Sequence, residues 1–333
     1  MLNIALLGSG RMAHVYGPKI NAHPHMKLAA IFNPRLSSAQ KVAAQYGGRA
    51  EDSLDDLLAA PDIDAVVIAT PTNTHLEYIA ACAKAGKPIY CEKPLDLNLE
   101  RVDHCLDMLA THRVPFMLGF NRRFDPDVAA LKEAVDAGDI GALTFLMSWS
   151  REPAPPPIQY VRQSGGYFVD GTIHDIDLMC WITNENPSEV FAAGSCLFDP
   201  EIGAEGDFDA TMTTLKMPSS CIVHINNSRK CAYGFDQRIE AFGRDGMLQT
   251  QNHRDQNLIR STQDVTQAKA PLKHFFLERY DASFGHALDA FYQSIMADAA
   301  PSPSASDGRN ALAIALACTH SAKTGETVKP EYI

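Results

Sequence analysis

The segment from Asp170 to Asp177 carries the residues whose types and spacing best fit catalysis. It reads Asp-Gly-Thr-Ile-His-Asp-Ile-Asp, so that His174 follows Asp170 by four residues. If the segment is helical from about Asp170, these two side chains share one face, and the carboxylate can orient the imidazole and raise its basicity. A histidine in that setting is suited to removing a proton from an alcohol near neutral pH.

Two other interpretations of this segment stay open. Acidic side chains near a helix N-terminus interact favourably with the helix dipole and need no catalytic role. Asp and His four residues apart also suit a metal ion, but no further histidine lies close in the sequence, and the nearest cysteine is Cys180. We therefore expect no metal site.

A second candidate group is Lys93, which stands in Glu92-Lys93-Pro94 directly after the apolar run of residues 88–91. The loop Thr70-Pro71-Thr72-Asn73-Thr74-His75 follows another apolar run in the same way. Loops at the carboxyl ends of parallel strands line the ligand crevice of such sheets. Both loops are therefore expected there, although a plain solvent-exposed lysine remains the alternative for Lys93.

A third motif, Gly8-Ser-Gly10-Arg11-Met12-Ala13, follows the first apolar run of the chain. In a G-x-G-x-x-A sequence, Gly8 permits the tight turn and Gly10 lets a pyrophosphate approach the backbone. Ala13 allows close packing of helix on strand, and the helix N-terminus offers free N–H groups to phosphate. The motif predicts dinucleotide binding, with an ordinary tight turn as the alternative.

The end of the second apolar run bears on which dinucleotide is bound. An Asp or Glu there would bind the ribose 2′-hydroxyl of NAD, whereas this chain has Asn33-Pro34-Arg35, with Arg11 on the facing turn. Asn33 can hydrogen-bond a hydroxyl and does not repel a 2′-phosphate, which two guanidinium groups could neutralise. NAD and NADP are both open, and so is a role of Arg11 and Arg35 as solvated surface charges.

The elements that must position these residues change in kind along the chain. Over the first 120 residues, short apolar runs alternate with stretches compatible with helices, which predicts an α/β Rossmann domain with a doubly wound parallel sheet. Farther on, between residues 190 and 246, strand-like runs follow one another without helices, which predicts an α+β domain with a mostly antiparallel, open sheet. We expect a dinucleotide-binding domain over residues 1–121 and a substrate-binding and oligomerisation domain over residues 122–333.

Composition excludes several classes of protein. The 333 residues carry 29 Lys and Arg against 40 Asp and Glu, a net charge of −11, which disfavours nucleic acid or an anionic membrane as a partner. The longest unbroken apolar run, residues 311–318, is far shorter than the ~20 residues needed to span a bilayer. The N-terminal segment does not resemble a secretion signal, and none of the eight cysteines forms a C-x-x-C pair. We therefore expect a cytoplasmic protein.

Together, the glycine motif, Glu92-Lys93-Pro94 and Asp170-x-x-x-His174 resemble the glucose–fructose oxidoreductase/inositol dehydrogenase (Gfo/Idh/MocA) family. Longer segments are similar to its inositol 2-dehydrogenase group, and the matches run from residue 8 to about residue 292. These segments are Arg151–Tyr160, Ser164–Gly166, Ile173–Asp177, Asn227–Arg238 and Phe276–Tyr280.

The resemblance implies an NAD-dependent dehydrogenase, with NADP left open, that oxidises a secondary hydroxyl of a cyclic polyol, myo-inositol to 2-keto-myo-inositol (scyllo-inosose). It implies Lys93, Asp170 and His174 as the catalytic set, and a dimer or tetramer. The residues expected at the cofactor are Gly8, Gly10, Arg11, Met12, Asn33, Arg35, Thr70, Pro71, Asn73, His75, Glu92 and Lys93. Those expected at the substrate are Lys93, Arg122, Tyr160, Asp170, His174, Asp236 and Tyr280.

The chain departs from the pattern of this group at three positions: Asn33 stands where an acid is usual, Asn121 where methionine is expected, and Gly171 is unusual. Two alternatives to an inositol dehydrogenase therefore stay open. One is a dehydrogenase of another sugar or polyol, such as scyllo-inositol, glucose or an anhydrosugar. The other is a dinucleotide-sensing protein without turnover.

Overall fold

The computed structural model describes residues 1–333. The strands are β1 (Leu2–Leu7), β2 (Met26–Phe32), β3 (Arg49–Glu51), β4 (Ala65–Ile68), β5 (Ile89–Cys91), β6 (Phe116–Leu118), β7 (Leu143–Arg151), β8 (Glu189–Ser195), β9 (Ala210–Lys216), β10 (Ile222–Ser228), β11 (Asp236–Gly243), β12 (Met247–Gln249), β13 (Ile259–Arg260) and β14 (Ala268–Lys269). The α-helices are α1 (Ala13–Ala22), α2 (Leu36–Tyr46), α3 (Leu54–Ala59), α4 (His75–Lys84), α5 (Leu99–His112), α6 (Pro126–Ala137), α7 (Ile158–Val161), α8 (Ile173–Thr183), α9 (Pro200–Ala204), α10 (Phe276–Arg279), α11 (Asp281–Met296) and α12 (Ala305–Thr324).

The chain folds into two compact units. The first contains Met1–Phe124 and Ala282–Asn310, and the second contains Asp125–Asp281 and Ala311–Ile333. The expected boundary between residues 121 and 122 lies close to the break after Phe124. However, the expectation assigns residues 282–310 to the second domain, whereas they belong to the first unit.

The first unit is built on a six-stranded sheet in the order β3-β2-β1-β4-β5-β6, in which every pairing is parallel. The central strands are apolar on both faces; all four residues of β4 are buried. Such strands are typical of a sheet covered on both sides, and the predicted doubly wound domain is confirmed. Strand β3 has the sequence Arg-Ala-Glu and is not recognisable as an apolar run.

Helix α11 completes the core of the first unit. The ring of Phe284 packs edge-on against Tyr16, with centroids 5.9 Å apart, and Phe291 lies 5.8 Å from Tyr90. Aromatic pairs in this geometry stabilise by about 0.5–1.5 kcal/mol beyond the area they bury. These contacts explain why the helix joins the first unit despite its distance along the chain.

The second unit is built on a six-stranded sheet in the order β12-β11-β7-β10-β9-β8. The pair β7–β10 is parallel and the other pairings are antiparallel. The predicted, mostly antiparallel sheet is confirmed. Strands β13 and β14 form a separate two-stranded ribbon.

The two faces of this second sheet differ in character. Because side chains alternate along a strand, Leu146 and Val223 are buried on one face, which we call the inner face, while Phe145 and Ile222 lie on the other, the outer face. Helix α8 is bonded to the inner face through Asp175. The outer face leaves Phe145 and Ile222 43% and 44% exposed.

None of the helices combines the length and the apolar character required to cross a membrane. All eight cysteines are free thiols.

Candidate active site

The glycine motif lies in the turn between β1 and α1. Gly8 has a φ of +112°, and a Cβ there would lie 2.5 Å from the carbonyl oxygen of Ala69, so only glycine fits. A Cβ at Gly10 would meet no atom within 4 Å, and that residue is exposed. The turn is therefore closely packed on its inner side and open on its outer side, where the backbone can accept a pyrophosphate. Arg11 and Met12 follow at the start of α1, exposed and half-buried.

Asn33, Pro34 and Arg35 connect β2 to α2. The side-chain amide of Asn33 donates to Ser9 Oγ at 2.8 Å, and its Oδ1 accepts the backbone N–H of Arg35 at 2.9 Å. Asn33 thereby ties the end of β2 to the glycine turn. The structure thus brings Asn33 beside the motif, as the sequence predicts for a residue at the ribose.

The loop Thr70–His75 and the loop Glu92–Pro94 are joined by the ring of His75. Its Nδ1 lies 2.8 Å from the carbonyl oxygen of Pro94, and its Nε2 lies 2.9 Å from that of Thr70. Burial lowers the pKa of His75, and this outweighs the two carbonyl groups, which favour the protonated ring. The ring therefore acts as a buried connector between the two loops, while Pro71 and Asn73 remain exposed.

This connection predicts a pH dependence of stability. The pKa of His75 in the folded state lies below the ~6.5 of an unfolded histidine. As the pH falls below about 6.5, the unfolded state therefore binds a proton before the folded state does. The free energy of unfolding falls as a result, until the pH reaches the pKa of the folded state. A His75→Gln variant lacks this component. Its unfolding free energy, measured by urea titration at several pH values, is expected to vary less over that range than that of the wild type. His320→Gln, at an exposed position of α12, serves as the control; equal slopes for wild type and His75→Gln would contradict the prediction.

Glu92 and Lys93 stand at the carboxyl end of β5. The hydroxyl of Tyr16 donates to Glu92 Oε1 at 2.5 Å, and the backbone N–H of Lys93 donates to Glu92 Oε2 at 3.3 Å. Burial raises the pKa of Glu92, although the Tyr16 hydrogen bond and the charge of Lys93 oppose the rise. Glu92 thus holds the backbone from which the Lys93 side chain extends.

Arg122 and Asn121 lie in the turn after β6, also within the first unit. Both are buried, and the Asn121 amide donates to Ser283 Oγ at 3.0 Å on α11. Asn121, one of the departures from the family pattern, therefore supports α11. Arg122 is buried in the same turn, and its role at the substrate stays a prediction.

In the second unit, His174 is the second residue of α8 and is half-buried. The predicted helix through Asp170 is present, but its first turn, Phe168–Thr172, is π-helical. The hydroxyl of Tyr160 donates to Asp170 Oδ1 at 2.8 Å. Two side chains from separate segments, both predicted at the substrate, therefore meet at the start of α8.

A buried polar network anchors this region to the inner face of the sheet. Asp175 accepts from Ser148 Oγ at 2.6 Å and from Asn227 Nδ2 at 2.9 Å. Asn227 Oδ1 in turn accepts from Thr172 Oγ1 at 2.8 Å. The residues on both sides of His174 are thus held to β7 and β10. This network is not among the features predicted from the sequence. Its sequence signal is the occurrence of polar residues at inward strand positions, where apolar ones are the rule.

The π-turn explains the unusual Gly171. A Cβ at this position would lie 2.6 Å from Cε2 of the Tyr167 ring. That ring cannot easily move, because the buried guanidinium of Arg229 stacks on it at 4.3 Å and Asp207 accepts the Tyr167 N–H at 2.9 Å. Arg229 and Asp207 also form an ion pair at 3.1 Å. Glycine at 171 is therefore a packing requirement.

The two remaining candidates for the substrate lie on opposite faces of the second sheet. Tyr280 donates to Gln237 Oε1 at 3.1 Å, and Gln237 points to the inner face, which also carries α8. Asp236 points to the outer face, where Arg238 Nε donates to it at 2.7 Å and Tyr233 at 2.8 Å.

Burial alone would raise the pKa of Asp236, but its hydrogen bonds from Arg238, Asn252 and Tyr233 outweigh this and hold the pKa below its usual range. Asp236 is thus part of a charged network on the outer face, whereas α8 is bonded to the inner face. No group of three or more His, Cys, Asp and Glu side chains is arranged to hold a metal ion.

Comparison with known proteins identifies the two parts of the chain separately. Residues 2–120 match the model described as an oxidoreductase family with an NAD-binding Rossmann fold, and residues 128–249 match the GFO/IDH/MocA C-terminal domain. The open side of Gly10 and the position of Asn33 fit a dinucleotide in the first of these domains.

Similar proteins span the whole chain. Inositol 2-dehydrogenase of Rhizobium meliloti is 39% identical over 96% of both chains. A crystal structure of a myo-inositol dehydrogenase from Corynebacterium glutamicum is 41% identical, covers 100% of both chains and superposes with a TM-score of 0.96. A scyllo-inositol dehydrogenase from Lactobacillus casei, solved with NAD(H) and scyllo-inositol, is 28% identical over 99% of both chains, with a TM-score of 0.91. The chain therefore belongs to the GFO/IDH/MocA family of oxidoreductases, and its first unit contains that family's NAD-binding Rossmann domain.

Proposed function

We propose that this protein oxidises the secondary hydroxyl at C2 of myo-inositol to the ketone. The observation that carries the proposal is the extent of the similarity. Relatives named as inositol dehydrogenases match this chain at 39% and 41% identity over nearly its whole length, and so over the second unit as well as the Rossmann domain. The contact between Tyr160 and Asp170, two polar residues beside His174, supports a polyol site at the start of α8.

In the proposed reaction, His174 removes the hydroxyl proton while Asp170 orients its ring. An imidazole is the side chain best matched to proton transfer near neutral pH. Tyr160 holds the Asp170 carboxylate through its 2.8 Å hydrogen bond. The charge on that carboxylate favours the imidazolium that forms when His174 takes the proton.

Lys93 hydrogen-bonds the reacting oxygen, and its ammonium group favours the alkoxide that develops as the proton leaves. Glu92 fixes the backbone of Lys93 by accepting its N–H. NAD, when bound by the glycine turn and by Asn33, supplies the hydride acceptor. In this proposal, the phosphates of NAD lie at the glycine turn of Gly8 and Gly10, and its ribose lies at Asn33. The loop that contains Thr70, Asn73 and His75 lines the remaining part of the NAD site.

A second candidate substrate is scyllo-inositol. It is favoured by the similarity to the Lactobacillus casei scyllo-inositol dehydrogenase over 99% of the chain. The two substrates differ in the orientation of one hydroxyl, so the same side chains would serve either reaction.

Initial rates of NAD reduction with myo-inositol, scyllo-inositol, glucose and an anhydrosugar test the proposal. We expect the highest kcat/KM with myo-inositol, and NMR of the product is expected to identify the 2-ketone. A higher kcat/KM with scyllo-inositol would favour the second candidate. No NAD reduction with either inositol, by protein shown to bind NAD, would contradict the proposal.

The protein is further proposed to act as a homo-oligomer, a dimer or tetramer in the cytoplasm. The support comes from the outer face of the second sheet, whose apolar side chains are each 42–49% exposed: Phe145, Phe191, Met212, Ile222, Phe242 and Met247. A contiguous group of exposed apolar side chains usually marks a surface that binds another protein. Light scattering that returned the monomer mass of 36.4 kDa would contradict this proposal.

A further inference from the structure

The loop after β2 lacks the acidic residue that a site restricted to NAD has at this position. In dinucleotide-binding sheets, an acid at this position accepts hydrogen bonds from the ribose 2′-hydroxyl and repels a 2′-phosphate. Here the position is taken by Asn33, whose amide is neutral and is bonded to Ser9 and to the Arg35 backbone. The electrostatic barrier against a 2′-phosphate is therefore missing.

The residues that follow add positive charge. Arg35 is exposed and is the N-cap residue of α2. The first turn of α2 contains no acidic residue, and Ser37 and Ser38 stand there instead. The guanidinium of Arg35 favours an anion at this point. So does the N-terminus of the eleven-residue helix α2, because no acidic side chain in its first turn offsets the helix dipole.

The neighbouring strand contributes one carboxylate, Glu51, which is engaged in an ion pair. Glu51 pairs with Phe32 in the strand register, and its backbone carbonyl accepts the N–H of Asn33 at 3.1 Å. Its carboxylate, however, accepts from Arg49 Nε at 2.9 Å. Arg49 also pairs with Asp62 at 2.6 Å, so its single guanidinium offsets part of the charge of two carboxylates.

We propose that Asn33 and Arg35 make this chain a binder of NADP as well as NAD, with the 2′-phosphate received at the start of α2. Asn33 retains a hydrogen-bonding amide for the ribose hydroxyl of NAD, so NAD binding is preserved. Arg35 adds a charge-assisted hydrogen bond that only the 2′-phosphate can accept. This inference depends on the dinucleotide site and not on the identity of the polyol.

Calorimetric titration of the full-length protein with NAD⁺ and with NADP⁺ tests the proposal without any substrate. The dissociation constants for the two are expected to lie within about 10-fold of each other. Because a hydrogen bond to a charged group contributes about 1.5–3 kcal/mol, Arg35→Ala is expected to weaken NADP⁺ binding by about 10-fold or more. Its effect on NAD⁺ is expected to be less than about 3-fold, since NAD⁺ carries no 2′-phosphate.

Two further variants sharpen the test. Asn33→Asp restores the acid and is expected to weaken NADP⁺ binding by at least ~10-fold relative to NAD⁺. Lys41→Ala removes the same charge from an exposed site farther along α2 and is expected to leave both affinities within about 2-fold of the wild type. NADP⁺ binding about 100-fold weaker than NAD⁺ binding in the wild type would overturn the proposal, as would equal effects of Arg35→Ala and Lys41→Ala.

Discussion

Replacement of His174 by alanine is expected to lower kcat about 10²–10⁴-fold, the usual contribution of a general base. NAD affinity is expected to stay unchanged, because the glycine turn and Asn33 lie in the other unit. The Asp175 network that anchors α8 does not involve the His174 ring in any of its three hydrogen bonds. The loss should therefore be chemical, with little change in stability.

The measurement combines steady-state rates, calorimetric NAD binding and urea unfolding. His320→Ala, at an exposed position of α12, is the matched control and is expected to retain wild-type turnover. A His174→Ala kcat within about 10-fold of the wild type would remove the residue from the proposed mechanism.

Lys93→Met is the second substitution with a large expected effect. Methionine retains an unbranched side chain and the backbone N–H bonded to Glu92 but removes the ammonium group. A preorganised donor to a developing oxyanion contributes about 10²–10³-fold to kcat, so a loss of that order is expected. The backbone contact to Glu92 is retained, but the substitution removes a charge that favours ionised Glu92, so a modest decrease in the free energy of unfolding is expected.

Lys84→Met, at an exposed position near the end of α4, is the matched control. It removes the same charge from the first unit and is expected to leave kcat unchanged. If Lys93→Met raised only the KM for the polyol and preserved kcat, Lys93 would bind substrate without stabilising the alkoxide. That outcome would contradict the role proposed here.

Local patterns determined most of the first unit. The helix at Leu99–His112 follows from apolar positions at helical spacing, of which Val102, Cys105 and Leu109 are buried. The buried strand β4 is recognisable from its unbroken apolar residues. The G-x-G-x-x-A turn is predictable because Gly8 must adopt a positive φ beside the Ala69 carbonyl. In each case a short-range physical requirement selects the residues.

The start of α8 could be predicted only in part. The i, i+4 spacing of Asp170 and His174 predicts a helix but not its π-helical first turn. Tyr167, the N-cap residue of that turn, contacts Arg229 and Asp207, which lie 62 and 40 residues farther along the chain. Contacts between residues so distant in sequence leave no local trace.

The sequence by itself determined the alternation of apolar strands and helices in the first unit, the dinucleotide turn and the residue types at each site, because these follow from spacing, glycine conformation and charge. Only the tertiary structure decided that residues 282–310 join the first unit, that Tyr160 bonds to Asp170, and that Asp236 and Tyr280 lie on opposite faces of one sheet. The physical reason is that these outcomes depend on which distant surfaces pack together. An amphipathic helix or an alternating strand specifies that one face is buried, but not which partner buries it.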